Sequence, residues 1–139
     1  MVTIVKPCVL KQTSMSKNKV IFLVEDDASI REMVEFLLKE DGFHVRSFAN
    51  VQSFRDCIDE SCPDLFIIDI MLPDGNGVDV SIELRNYDNT KQVPILLMSA
   101  DHGKVDKPTP GAANGFLAKP FDIDELLQRV NSLTMAGAH

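Results

Sequence analysis

From Lys19 onward, short apolar runs alternate with longer segments in which apolar residues return every three or four positions. This alternation constrains the chain more than any other feature, because it is the pattern of a parallel sheet covered by crossover helices on both faces. The predicted strands are Val20–Val24, Phe43–Phe48, Leu65–Ile68, Ile95–Met98 and Phe116–Ala118. The first, third and fourth are continuous apolar runs, as expected of central parallel strands buried on both sides. In the second, Phe43, Val45 and Ser47 alternate with His44, Arg46 and Phe48. One face is therefore partly polar, which suits an edge strand.

Ile30, Met33, Val34, Leu37 and Leu38 define the first helix, with Ser29 and Glu32 at capping-box spacing and Gly42 as its stop. Val51, Phe54 and Ile58 mark a second helix, and Val78, Ile82 and Leu84 a third. The last starts near Asp122 and carries Ile123, Leu126, Leu127 and Val130 on one stripe. Alternation calls for one more helix between Met98 and Phe116, yet Pro108, Pro110, Gly103, Gly111 and Gly115 crowd that segment. A proline inside a helix costs about 3 kcal/mol. That helix is expected to be short, displaced or absent. The fold class is thus α/β, a doubly wound five-stranded parallel sheet.

With 139 residues and 45% apolar content, one domain over 19–133 is the expectation, with residues 1–18 as an extension and 134–139 as a tail. The formal charge of −7 argues against direct nucleic-acid binding. Cys8, Cys57 and Cys62 lack the spacing of a zinc or redox site and read as reduced thiols of a cytoplasmic protein. No apolar run approaches the roughly 20 residues that span a bilayer, so no membrane insertion is expected. Nothing after Leu133 reads as a DNA-binding or catalytic unit, so any output is expected to pass through another protein.

Ligands of such sheets bind outside the carboxyl ends of the strands. There the first strand runs into Glu25-Asp26-Asp27, the third into Asp69, the fourth into Ser99 and the fifth into Lys119-Pro120. Taken singly, these residues have plainer explanations: Asp27 precedes a helix and suits a cap, a serine ends many strands, and a lone lysine is usually solvated. Asp69 is different, since it sits between Leu65-Phe66-Ile67-Ile68 and Ile70-Met71-Leu72, where a charge without a partner is costly. Repelling carboxylates call for a cation, and Lys119 balances only one of them. Mg²⁺ (or Mn²⁺) suits this oxygen-rich set better than Zn²⁺, which favours His and Cys. A carboxylate beside such an ion can attack phosphorus and become an aspartyl phosphate.

The blocks Phe22-Leu23-Val24-Glu25-Asp26-Asp27, Asp69-Ile70-Met71-Leu72-Pro73-Asp74-Gly75, Ser99-Ala100 and Lys119-Pro120-Phe121 together resemble the signature of response-regulator receiver domains of two-component signalling. The resemblance covers roughly residues 19–133 and suggests a stand-alone receiver. It implies a flavodoxin-like sheet of order 2-1-3-4-5, with Asp69 as phosphoacceptor. Asp26 and Asp27 become the acidic pair at Mg²⁺, with the backbone carbonyl of Met71 completing the metal shell. Ser99 and Lys119 become the phosphate-binding hydroxyl and ammonium, and Phe116 the aromatic switch. Pro120 is implied to follow a cis peptide, and Met71 and Asp101 to tune hydrolysis. The implied partners are a histidine kinase or histidine phosphotransfer protein, a downstream protein and, as a candidate, a second copy of the chain.

Three other readings compete. An aspartyl-nucleophile phosphatase expects a second aspartate two residues after the first, where this chain has Met71. A flavin-binding module needs a phosphate cradle, which Glu25-Asp26-Asp27 would repel. The strongest is an adaptor receiver whose output ignores phosphorylation, suggested by the irregular 101–115 segment.

Overall fold

The computed structural model describes residues 19–58, 63–100 and 112–136. In chain order they form β1 (Val20–Val24), α1 (Ala28–Glu40), β2 (His44–Phe48), α2 (Val51–Ile58), β3 (Leu65–Asp69), β4 (Met71–Leu72), β5 (Gly75–Asn76), α3 (Gly77–Leu84), β6 (Ile95–Ser99), β7 (Gly115–Ala118) and α4 (Ile123–Ala136). Five strands pair in parallel in the order β2-β1-β3-β6-β7, while β4 and β5 form a separate two-stranded antiparallel hairpin. Leaving the hairpin aside, this is the expected order 2-1-3-4-5.

Alternate residues of each strand feed two cores. Ile21, Leu23, Leu65, Ile67, Leu96, Met98 and Leu117 face α1 and α4. Phe22, Val24, Phe66, Ile68, Ile95 and Leu97 face α2 and α3. On that second face Phe22 lies 5.4 Å from the Phe48 ring, 6.4 Å from Phe54 and 6.1 Å from Phe66. Tilted and edge-to-face rings of this kind contribute about 0.5–1.5 kcal/mol per pair beyond area burial. The sheet is therefore clamped hardest around β1 and β3, the strands that lead into Asp26 and Asp69.

The ends of α1 show how the local sequence acts. Its amino-terminal cap is Asp27, whose Oδ1 accepts from the Ile30 amide at 3.1 Å. The Ser29 and Glu32 capping box expected from spacing is displaced, because the helix has already begun at Ala28 and Asp27 is the last extended residue. At the other end Gly42 adopts φ 98°, a left-handed conformation that a side chain disfavours. Its amide reaches Lys39 O at 3.0 Å and the Phe43 amide reaches Leu38 O at 3.0 Å, with Phe43 and Leu38 packed in the same core. This is a Schellman closure.

Three expectations shift. β2 starts at His44, Phe43 being spent on the helix closure. In α3 the buried residues are Gly77, Val80, Ser81 and Leu84, whereas Ile82 is 49% exposed. Val78 and Leu84 face the core as expected, and Ile82 alone of the three does not. α4 runs to Ala136, past the boundary drawn at residue 133. The segment expected to hold an irregular fourth helix lies largely outside the described residues, as do Cys8, Cys62 and Asp101. Arg85 secures the return to β7, donating to Val93 O at 2.7 Å, Ala112 O at 2.9 Å and Asn114 Oδ1 at 2.7 Å. Among the described residues no helix is long and apolar enough to cross a membrane.

Candidate functional site

The carboxyl edge of the sheet brings together Glu25 and Asp26 after β1, Asp69 as the last residue of β3, Ser99 as the last residue of β6, and Lys119 after β7. Asp69 and Ser99 remain within the ladder, pairing with Met98 and Ala118 respectively. Their positions are thus set by strands. The Lys119 amide donates to Ser99 O at 2.8 Å, which links the hydroxyl-bearing and ammonium-bearing residues directly. The Lys119-Pro120 peptide is cis.

Lys119 Nζ donates to Glu25 Oε1 at 2.8 Å and to Asp69 Oδ2 at 3.1 Å. Glu25 is fully buried and Asp69 is 4% exposed. Burial opposes the ammonium, but its hydrogen bonds to Glu25 and Asp69 prevail and raise the Lys119 pKa. Glu25 is pushed up from 4.5 to about 7, chiefly by burial, with the Asp69 charge adding to the effect and Lys119 and the Asp27 amide opposing it. One ammonium cannot satisfy this group of carboxylates.

One carboxylate oxygen from each of Glu25, Asp26 and Asp69 lies within 4.8 Å of the other two. This trio differs from the expected pair Asp26 and Asp27. Asp27 has turned away to cap α1, and its amide instead donates to Glu25 Oε2 at 3.1 Å. Glu25 is the site residue that sequence reasoning placed at the edge but left without a role, and unbroken burial from Ile21 through Glu25 is the signal that marks it. Arg31 was missed altogether. Its guanidinium holds Glu25 O at 2.8 Å and Asp26 O at 3.4 Å, fixing the backbone that presents both acids.

Met71 opens the hairpin and is 68% exposed, with its amide donating to Asp69 Oδ1 at 3.3 Å. Phe116 is half-buried against the α2 and α3 side of the sheet, and its carbonyl accepts from the Arg129 guanidinium of α4. Gly77 lies close beneath the site, since a Cβ there would stand 2.4 Å from Asp69 O and 2.9 Å from Ile70 Cα.

The raised Glu25 pKa gives a stability prediction. Its folded value lies above the ordinary 4.5, so between 4.5 and about 7 the folded state holds a proton that the unfolded chain has released. Stability contributed by that proton is present at low pH and lost as pH rises through this window. Denaturant titrations without added cation should therefore show Glu25→Gln gaining on the wild type as pH rises from about 5 to 8. A constant difference between the two proteins would contradict the assignment.

The profile of the response regulator receiver domain matches residues 21–131. The transcriptional regulatory protein GltR of Pseudomonas aeruginosa is 36% identical over 122 residues, which take in 86% of this chain and 50% of GltR. The phosphate regulon transcriptional regulatory protein PhoB of Escherichia coli is 33% identical over 116 residues, 81% of this chain and 50% of PhoB. The chain spans about half the length of these curated relatives. Among solved structures, a putative response regulator from Chloroflexus aurantiacus superimposes with a TM-score of 0.79 at 33% identity, covering 86% of this chain and 99% of that one. TrrA from Thermotoga maritima, solved in complex with Mg²⁺-BeF, gives 0.74 at 30% identity, covering 83% and 98%. Sheet order, the acidic edge with its lysine and these matches agree, and the chain belongs to the response regulator receiver domain family.

Proposed function

We propose that this receiver takes a phosphoryl group onto Asp69 from the phosphohistidine of a sensor kinase or histidine phosphotransfer protein in the cytoplasm, with Mg²⁺ (or Mn²⁺) required. The observation that carries this reading is the Asp69 carboxylate, closing a buried strand and held 3.1 Å from Lys119 inside a cluster of carboxylates. In the transfer an Asp69 oxygen forms a bond to phosphorus, the bond from phosphorus to the imidazole nitrogen breaks, and that nitrogen leaves with the electron pair. Positioning and charge neutralisation are most of what such a transfer requires.

The donor set fits the metal. Its side-chain ligands are all oxygen, at least two are buried or at the rim of a buried site, and their mutual repulsion is relieved by a hard dication. Asp26 and Asp69 would hold it, with the Met71 carbonyl, and Glu25 would take the second acidic place because Asp27 caps the helix. When bound, the ion would neutralise phosphoryl oxygens. Lys119 would keep its bond to Glu25 and pass from Asp69 to a phosphoryl oxygen, while Ser99 would bind another. Because Ser99 O and the Lys119 amide are bonded, movement of one is felt by the other and by Phe116 on β7, the strand that leads into Lys119. That displacement changes the surface offered to a downstream protein, and hydrolysis, tuned by Met71 and Asp101, resets it.

Exposure to a small acyl phosphate with Mg²⁺ should add one phosphoryl group, and a chelator should prevent the addition. No uptake under the first condition, or equal uptake under both, would overturn the reading.

A further inference from the structure

The amino terminus of α2 is capped by two side chains from different parts of the chain. Asn50 acts locally, its Oδ1 accepting from the Ser53 amide at 2.8 Å. Asp74 acts from the hairpin tip, its two oxygens accepting from the amides of Val51 at 2.8 Å and Gln52 at 3.0 Å. Those backbone bonds hold its carboxyl below the usual carboxylate range. With the Phe54 amide bonded to Asn50 O, the open amides of the first turn are all occupied.

The hairpin needs this anchor. It pairs only Met71 with Asn76 and Leu72 with Gly75, and an isolated hairpin is marginal even when longer. Leu72 is half-buried against the core, but Met71 is too exposed for burial to fix its backbone. At the base the hairpin is pinned by Gly77, whose amide donates to Ile70 O at 2.7 Å. At the tip it is pinned by Asp74, and Gly75 lies so close to α2 that a Cβ there would stand 3.0 Å from Val51 Cγ2. The connector before α2 is in turn bonded to the acidic edge, since the Glu25 amide donates to Phe48 O at 3.0 Å. Asp74 thus closes a ring that runs from Glu25 through the start of α2 and the hairpin to Asp69.

We infer that Asp74 is a positioning residue for the Asp69 site: by tying the hairpin tip to α2 it fixes the Met71 backbone beside the acceptor and so sets the affinity for the divalent cation. The inference rests on the proposed role of Asp69 and of the Met71 carbonyl. It extends that role to a residue that touches neither metal nor phosphoryl group.

The test compares the full chain with Asp74→Ala, Asp74→Asn and Asn50→Ala. The last removes the local cap of α2 but leaves the hairpin tied. Asp74→Ala should raise the Mg²⁺ concentration for half-maximal labelling by a small acyl phosphate about tenfold, with Asp74→Asn intermediate and Asn50→Ala within about twofold of wild type. In the protein without added cation, amide exchange measured by NMR should quicken at Met71, Leu72, Gly75 and Asn76 in Asp74→Ala, but only within α2 in Asn50→Ala. Wild-type Mg²⁺ dependence and hairpin exchange in Asp74→Ala would overturn the inference, as would the same response from Asn50→Ala. If the wild type takes no label, the phosphoacceptor reading fails, and hairpin exchange still decides whether Asp74 fixes the loop.

Discussion

Gly77→Ala should lower the thermal midpoint by roughly 5–10 °C and reduce phosphoryl uptake, although alanine is the better helix former by about 1 kcal/mol. A Cβ at residue 77 would stand 2.4 Å from Asp69 O, 2.9 Å from Ile70 Cα and 3.0 Å from Asp69 C. These are backbone atoms with no rotamer to yield. Either α3 must withdraw or the end of β3 must move, and the latter carries the acceptor with it. Overpacking of this kind typically costs about 1–3 kcal/mol, enough to exceed the helical gain. Thermal unfolding and acyl phosphate labelling of the same preparation check both effects. At Gly75 the obstacle is a Val51 methyl at 3.0 Å, which can shift, so Gly75→Ala should be milder.

Lys119→Ala should be the most damaging change in the site, costing about 3 kcal/mol near neutral pH. The ammonium is the shared partner of Glu25 and Asp69, and both carboxylates are buried. Removing one member of a buried ionic group leaves the rest uncompensated, which costs more than the intact group contributes. The loss should shrink as pH falls, because Glu25, whose pKa burial already raises, escapes by taking up a proton, and should grow as pH rises. Denaturant titration at about pH 5 and about pH 8 tests this, with the larger deficit predicted at the higher pH. An equal deficit at both would mean that packing of the lysine stem, not its charge, is what matters.

The sheet was legible because parallel strands buried on both faces leave unbroken apolar runs, and β1, β3 and β6 stand where those runs lie. Asp69 and Lys119 were legible for a related reason, since a charge at the end of such a run needs an explanation. Local competition hid more. Asp27 and Ser29 are both good caps, and only the backbone turn shows that Asp27 is used. Once Asp27 caps α1, the acidic cluster falls to Glu25 and Asp26 with Asp69, one residue back from the pair that the family resemblance implied. Ile82 misled because a short helix offers too few turns for its apolar period to be unique. Contacts made by Asp74, Arg31 and Arg85 reach backbone atoms, often distant in sequence, and leave no pattern in composition or spacing.

The residue that carries the phosphoryl group tests the role of Asp69 most directly. After reaction with acyl phosphate and Mg²⁺, reduction with borohydride converts an aspartyl phosphate to homoserine, and peptide mass spectrometry locates the residue. The prediction is homoserine at position 69 alone, and no phosphoryl uptake by Asp69→Asn. Label on Asp26, Asp27 or Ser99 in the wild type, or wild-type uptake by Asp69→Asn, would contradict it.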